Sequence, residues 1–241
     1  MVWGFWEYKH LNLCKLMNQP ANKIDSTLSE IKSFSDENAI NIDEITIVGA
    51  TKNQSLETIQ RALDSGIKDF GENFLQEASK KIEALPNCNW HFIGSIQSNK
   101  CKQISSMFDW VHTVERIKVA DKLNQYRPES LDKLNVCIQI NIDEEESKSG
   151  IKIEEAEDLI SSMMQFNNLR IRGLMSIPKI KTEEVDQVES FKKMKRNFYD
   201  LKQKFPFLDT LSMGMSNDYK SAILCGSNMI RIGTKLFGER T

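Results

Sequence analysis

The stretch Val136-Cys-Ile-Gln-Ile-Asn-Ile142 alternates residue by residue. Val136, Ile138 and Ile140 form an apolar set, with Cys137, Gln139 and Asn141 opposite. A β-strand sends successive side chains to opposite faces, so this period predicts a strand with two different environments. Seven more short, apolar, β-branched runs recur: Ile45–Lys52, Asp69–Asn73, Trp90–Gly94, Trp110–Val114, Ile171–Ile177, Thr210–Ser216 and Met229–Thr234. Helix-like segments separate them at Leu56–Ser65, Phe74–Ala84, Asn99–Ser106, Arg116–Tyr126, Ile153–Phe166, Glu183–Phe205 and Asp218–Cys225. Strands alternating with helices predict a parallel sheet, and eight is the number that closes one into a (β/α)₈ TIM barrel. Ile24, Leu28, Ile31 and Phe34 recur at three- and four-residue steps, which adds an amphipathic helix ahead of the first strand.

The chain length of 241 residues suits one such α/β barrel, and no Pro/Gly/Ser-rich linker divides it. The reading is a single domain over residues 17–241 behind an N-terminal extension, 1–16. In that extension Glu7, Lys9 and His10 interrupt the apolar Trp3, Phe5 and Trp6 before a signal-peptide core can form. Met17 is the expected true start. Lys plus Arg (32) nearly balance Asp plus Glu (34), so nothing electrostatic points to a nucleic acid. No apolar run approaches the roughly 18 residues of a membrane span. The five cysteines are scattered and form no CxxC pair, which fits a cytoplasmic protein without disulfides or a metal site.

A barrel of this kind works at the C-terminal tips of its strands. The first run ends on Lys52, either a solvated strand end or an amine able to attack a carbonyl as a Schiff-base former. In the eighth run Ile230 and Ile232 oppose Met229, Arg231 and Gly233. Arg231 and Asn141 on inward faces are costly unless a polar group meets them, the first sign of a ligand in the mouth. The seventh run ends in Leu211-Ser-Met-Gly-Met-Ser216, with Asn217-Asp218 placed to cap a helix, and the eighth ends in Gly233-Thr234. Strand ends seven and eight commonly hold phosphate in such barrels. Gly71-Glu72-Asn73, His91 to Gly94 and Asn141 add polar groups at other tips, and Lys148 and Gly150 reach back toward the mouth. His112 reads as a hydrogen-bonded core histidine rather than a catalyst.

Six strings together resemble the pyridoxal phosphate homeostasis proteins (the YggS/PROSC-like family). They are Asp69-Phe-Gly-Glu-Asn73, Trp90-His-Phe-Ile-Gly94 with Gln97-Ser-Asn-Lys100, Glu145-Glu-Ser-Lys-Ser-Gly150, Arg172-Gly-Leu-Met175, Leu211-Ser-Met-Gly-Met-Ser216 and Arg231-Ile-Gly-Thr234. The resemblance runs from about Ile24 to Arg240 and implies a barrel like the N-terminal domain of alanine racemase, with pyridoxal 5′-phosphate (PLP) in its mouth. It implies Lys52 as the Schiff-base lysine and Ser216, Gly233 and Thr234 as the phosphate-holding positions. Arg231 matches the arginine facing the pyridine nitrogen, and Asn73 a residue lining the cofactor, while His91 and Met175 also fall in family motifs. The family's usual Ser-Lys-Thr-Lys-Pro is here Thr51-Lys52-Asn53-Gln54-Ser55, without the second lysine.

Two functions follow from the resemblance. A carrier would hold PLP and supply it within vitamin B6 homeostasis, with amino acids as further ligands and PLP-dependent apo-enzymes as recipients. A racemase-like enzyme would need a second base across the cofactor plane, and none of Tyr8, Tyr126, Tyr199 and Tyr219 lies in a strand-end motif. After Thr234 only Lys235 to Thr241 remain to supply one. The expectation is a non-enzymatic, monomeric carrier. A phosphate-binding barrel enzyme without PLP is the third reading, open only if Lys52 forms no imine.

Overall fold

The computed structural model describes residues 20–179 and 184–238, so the extension 1–16 and the start at Met17 lie outside the described residues. Eight parallel strands follow one another around a closed barrel: β1 (Thr46–Ala50), β2 (Asp69–Glu72), β3 (Asn89–Phe92), β4 (Trp110–Val114), β5 (Leu134–Ile140), β6 (Leu169–Ser176), β7 (Thr210–Ser212) and β8 (Met229–Ile232). Closure sets β8 against β1, Val48 opposite Arg231 and Gly49 opposite Ile232. Helix α1 (Pro20–Glu37) precedes the barrel. Behind successive strands come α2 (Leu56–Asp64), α3 (Leu75–Ala84), α4 (Cys101–Met107), α5 (Ile117–Tyr126), α6 (Ala156–Met163), α7 (Glu184–Lys204), α8 (Tyr219–Leu224) and α9 (Thr234–Phe237).

Local chemistry accounts for these elements. Ser55 caps α2 by accepting the Thr58 amide at 3.2 Å, and Ile59 and Ala62, three residues apart, are its buried face. In β5 Val136, Ile138 and Ile140 join the apolar core under the helices, whereas Cys137 lies beside Arg231 inside the barrel. Two motif glycines allow backbones to touch. A Cβ on Gly173 would stand 1.8 Å from the Thr210 carbonyl oxygen, and one on Gly94 would stand 2.3 Å from that of Asn73. Any larger residue would push β6 off β7 or move the tip of β2.

The elements depart from the expected bounds where turns intervene. Strand β7 stops at Ser212, because Gly214 takes φ +96° and the chain turns there. Asp218 does not cap α8 through its side chain as expected. Its Oδ1 accepts the Met215 amide at 2.6 Å and closes the turn before the helix instead. A 3₁₀ turn, Ile153–Glu155, shortens α6, and the one-turn α9 goes beyond the expected elements. Among the described residues, no helix is long and apolar enough to cross a membrane, and no three His, Cys, Asp or Glu side chains cluster to hold a metal.

Candidate functional site

Lys52 leaves the tip of β1 half-buried, with its Nζ 4.7 Å from the centroid of the Phe74 ring. The residues on either side of it are pinned. The fully buried Thr51 donates its amide to the Gly71 carbonyl at 2.9 Å and its hydroxyl to Glu72 Oε1 at 2.5 Å. The Lys81 ammonium, from α3, donates to the Thr51 carbonyl (2.7 Å), to Glu72 Oε1 (2.6 Å) and to Glu77 Oε1 (2.6 Å). Glu77 in turn accepts the Asn53 amide at 2.5 Å. Asn53 has φ +61°, a left-handed conformation that Asn tolerates better than most residues. Glu72 therefore turns beneath α3 rather than into the mouth. Burial raises its carboxyl above the ordinary range, against the pull of Lys81 and Thr51.

The neighbouring tips form a polar corner. Ser216 Oγ accepts the amides of Gly233 and Lys235, each at 3.2 Å, so the turn after β7 is stitched to the start of α9. Thr234 is exposed there. A Cβ on Gly233 would meet only Ala50 Cβ at 3.5 Å and its carbonyl at 3.7 Å, both ordinary contacts. Packing against the protein does not exclude a side chain at that position, so the corner has room there. The same contact places Gly233 beside Ala50, two residues before Lys52. Helix α1 braces the corner from outside. Thr27 donates to the Lys235 carbonyl at 2.9 Å, and Glu30 takes Lys235 (2.8 Å), Lys220 (2.7 Å) and the Tyr219 hydroxyl (2.9 Å). Lys220 first and Lys235 next hold the Glu30 carboxyl down at about 2.

Arg231 reaches across the barrel interior. Its Nη1 donates to Ser212 Oγ at 2.5 Å and its Nη2 to the Ser176 carbonyl at 3.0 Å, on a strand that is not its neighbour. Burial lowers the guanidinium to about 10, so it remains a cation at neutral pH. His112 is fully buried and hydrogen-bonded, as read from the sequence. His91 is fully buried too, and both its ring nitrogens are taken by Asp69 and His112, which sets it back from the mouth. Met175 is buried in register with Ser212. Asn73 is half-buried beside Phe74, and these two line a cavity of about 880 Å³ between α3 and α4, which Lys52, Met175, Ser216, Arg231, Gly233 and Thr234 do not line.

The loop after β5 is organised by Asn141, whose side chain bonds the backbone of Glu145 and Lys148. Lys148 bonds the carbonyls of Ile177 (3.3 Å) and Pro178 (2.9 Å), and Gly150 donates to Glu115, so these residues tie tip loops together. Tyr126 and Tyr199 are exposed on outer helices, and the Tyr219 hydroxyl is committed to Glu30. Of the residues just described, Lys81, Glu77 and Ser176 carry no motif signal of their own. The pair Glu77 and Lys81, four apart on a helix, reads like an ordinary surface ion pair.

Residues 47–241 match the family described as alanine racemase, N-terminal domain. The pyridoxal phosphate homeostasis protein of Escherichia coli is 41% identical over 229 residues, covering 93% of this chain and 98% of that protein. Its counterpart in Pseudomonas aeruginosa is 44% identical over 198 residues, covering 81% and 85%. Among solved structures, PipY of Synechococcus elongatus with PLP bound superposes with TM-score 0.78 at 29% identity, covering 91% of this chain and all of PipY. An alanine racemase of Clostridium difficile shares the fold at TM-score 0.69 and 13% identity, over 84% of this chain and 57% of the racemase.

Proposed function

The chain belongs to the pyridoxal phosphate homeostasis proteins, built on the alanine racemase N-terminal domain, and on that premise we propose that it binds PLP in the barrel mouth through Lys52 and holds it for supply to other proteins. The supporting observation is a juxtaposition at one rim. A lysine whose chain neighbours are pinned follows Ala50, which packs beside a corner of two hydroxyls and a glycine with spare room, and a buried arginine comes from the same strand as that corner. Ser216, Gly233 and Thr234 would take the phosphate, Arg231 the ring nitrogen, and Asn73 and Met175 the sides of the ring. When bound, the cofactor supplies an aldehyde carbon that a lysine amine can bond and a ring that drains electrons best when its nitrogen is protonated.

The residues present favour holding over turnover. A guanidinium donates and does not accept, so Arg231 keeps a ring nitrogen facing it unprotonated. Enzymes that work with such a weakened sink place an acid–base group on each face of the ring. Lys52 is one, and among the described residues no tyrosine hydroxyl stands opposite. Alanine, serine and glutamate incubated with cofactor-loaded protein in deuterated water should exchange their α-protons far below the enzyme median of about 10 per second. Exchange near that rate, followed by NMR, would reject the carrier reading in favour of a racemase-like enzyme.

The phosphate corner makes its own prediction. Thr234→Val removes a hydroxyl donor to a charged acceptor and should weaken PLP binding by roughly 1.5–3 kcal/mol. Pyridoxal, which lacks the phosphate, should bind the variant and the parent alike. Equal losses for the two ligands, measured by titration, would make Thr234 a support of the fold.

A further inference from the structure

Four hydrogen bonds in series run through the barrel from its floor to Arg231. Asp69, the first residue of β2, has its Oδ1 2.9 Å from His91 Nε2. His91 Nδ1 is 2.9 Å from His112 Nε2, and His112 Nδ1 is 3.2 Å from Ser212 Oγ. Arg231 Nη1 closes the series on Ser212 at 2.5 Å. The step from His112 on β4 to Ser212 on β7 joins strands that are not neighbours, so it crosses the interior.

With Asp69 ionised and both imidazoles neutral, the donors and acceptors admit one direction. The Asp69 carboxylate only accepts, so His91 carries its proton on Nε2 and its Nδ1 accepts. His112 then donates from Nε2, and its Nδ1 accepts from the Ser212 hydroxyl. Ser212 Oγ in turn accepts from Arg231, which can only donate. A neutral His112 fits its surroundings, since burial, then His91 and Arg231, push its pKa well below the ordinary value. Every donor in the series points from Arg231 toward Asp69. The His91 ring is held in plane by Trp110, stacked at 5.4 Å and 6°, and Trp110 in turn lies under the Arg172 guanidinium at 4.6 Å. Arg172 is fixed to Asp209 at 2.8 Å.

We propose that Asp69, on the face of the barrel opposite the mouth, sets the tautomers of His91 and His112 and through Ser212 aims Arg231 at the cofactor ring. Asp69, His91 and His112 are thus positioning residues for a group none of them touches. The role assigned to Arg231 rests on the functional reading above, whereas the tautomers do not.

The test begins with ¹⁵N-histidine-labelled full-length protein without cofactor. Long-range ¹H–¹⁵N spectra should show His91 and His112 both as neutral Nε2–H tautomers. A proton on Nδ1 of either ring overturns the relay. The second measurement is Asp69→Ala, with Asp69→Asn as the milder variant. In Asp69→Ala the His91 signal should lose its single tautomer, and the Arg231 Nη protons should lose protection from solvent exchange. PLP should bind about tenfold more weakly, the order expected when one charge-assisted hydrogen bond is misaimed. Inhibition of PLP binding by inorganic phosphate, which reports the corner alone, should not change. Unchanged Arg231 protection in both variants overturns the positioning role. Failure of the parent protein to bind PLP would reject the functional reading alone, leaving tautomers and Arg231 protection to decide the relay.

Discussion

Lys52→Ala is expected to leave a folded barrel with no visible absorption band from lysine-bound cofactor and no borohydride-fixed adduct. The side chain is half-buried at a strand tip, and the pins on Thr51 and Asn53 use backbone groups and the Thr51 hydroxyl, so truncation removes none of them. A surface-facing substitution without such losses usually costs within about 0.5 kcal/mol. The melting temperature should therefore stay near that of the parent. PLP would still reach the phosphate corner reversibly, because Ser216, Gly233 and Thr234 are untouched. The loss should be specific to the bond that borohydride reduces. Peptide mapping of the reduced parent should place the pyridoxyl group on Lys52. A reducible adduct of parent stoichiometry in the variant would move the assignment to another amine, and Lys148 or Lys235 would be examined first.

The barrel is legible in the sequence because each strand carries its own alternation and each helix its own period. Local signals of that kind add up when the connections are short and repeat in one order. What the pattern cannot carry is which polar residue points where across the interior. Glu72 and Asp69 both belong to one strand-end motif, yet Asp69 turns inward to His91 and Glu72 outward to Lys81. Strand period separates them by an odd step and so predicts opposite faces, but not which face holds a partner. His91 stands in a motif, yet its two bonds, to Asp69 on β2 and His112 on β4, place it behind the site, a distinction that needs the register of the flanking strands. The resemblance supplied the candidate residues at the tips. The pins around Lys52 come from α3 and needed the helix docked against β1 and β2 to be seen.

Those pins yield the other large effect. Lys81→Met removes a buried ammonium that serves three acceptors and leaves Glu72, which is fully buried, with no cation beside it. Breaking a buried pair from one side typically costs about 3–5 kcal/mol, because the remaining charge keeps its desolvation penalty. For a chain of this size that is a melting temperature roughly 10 °C or more below the parent at neutral pH. The variant should also capture PLP more slowly, since the Thr51 carbonyl loses its donor and the loop carrying Lys52 is freed. The pH dependence has a definite sign. Burial already raises the Glu72 pKa above its ordinary value of 4.5, so between those two values the native state holds more protons than the unfolded one. Stability from that group falls as pH rises through the interval. Without Lys81 the pKa climbs further and the interval widens. The penalty of the variant should thus be largest near neutrality and shrink as pH drops toward 4.5, where a protonated Glu72 needs no cation. Adding Glu72→Gln should recover part of the loss at neutral pH, because a neutral amide is cheaper to bury than a lone carboxylate. Thermal melts of parent, single and double variants across pH 4.5 to 8 would decide it. A penalty that grows on acidification, or a double variant no better than the single, would mean that the Lys81 and Glu72 charges do not hold this loop together.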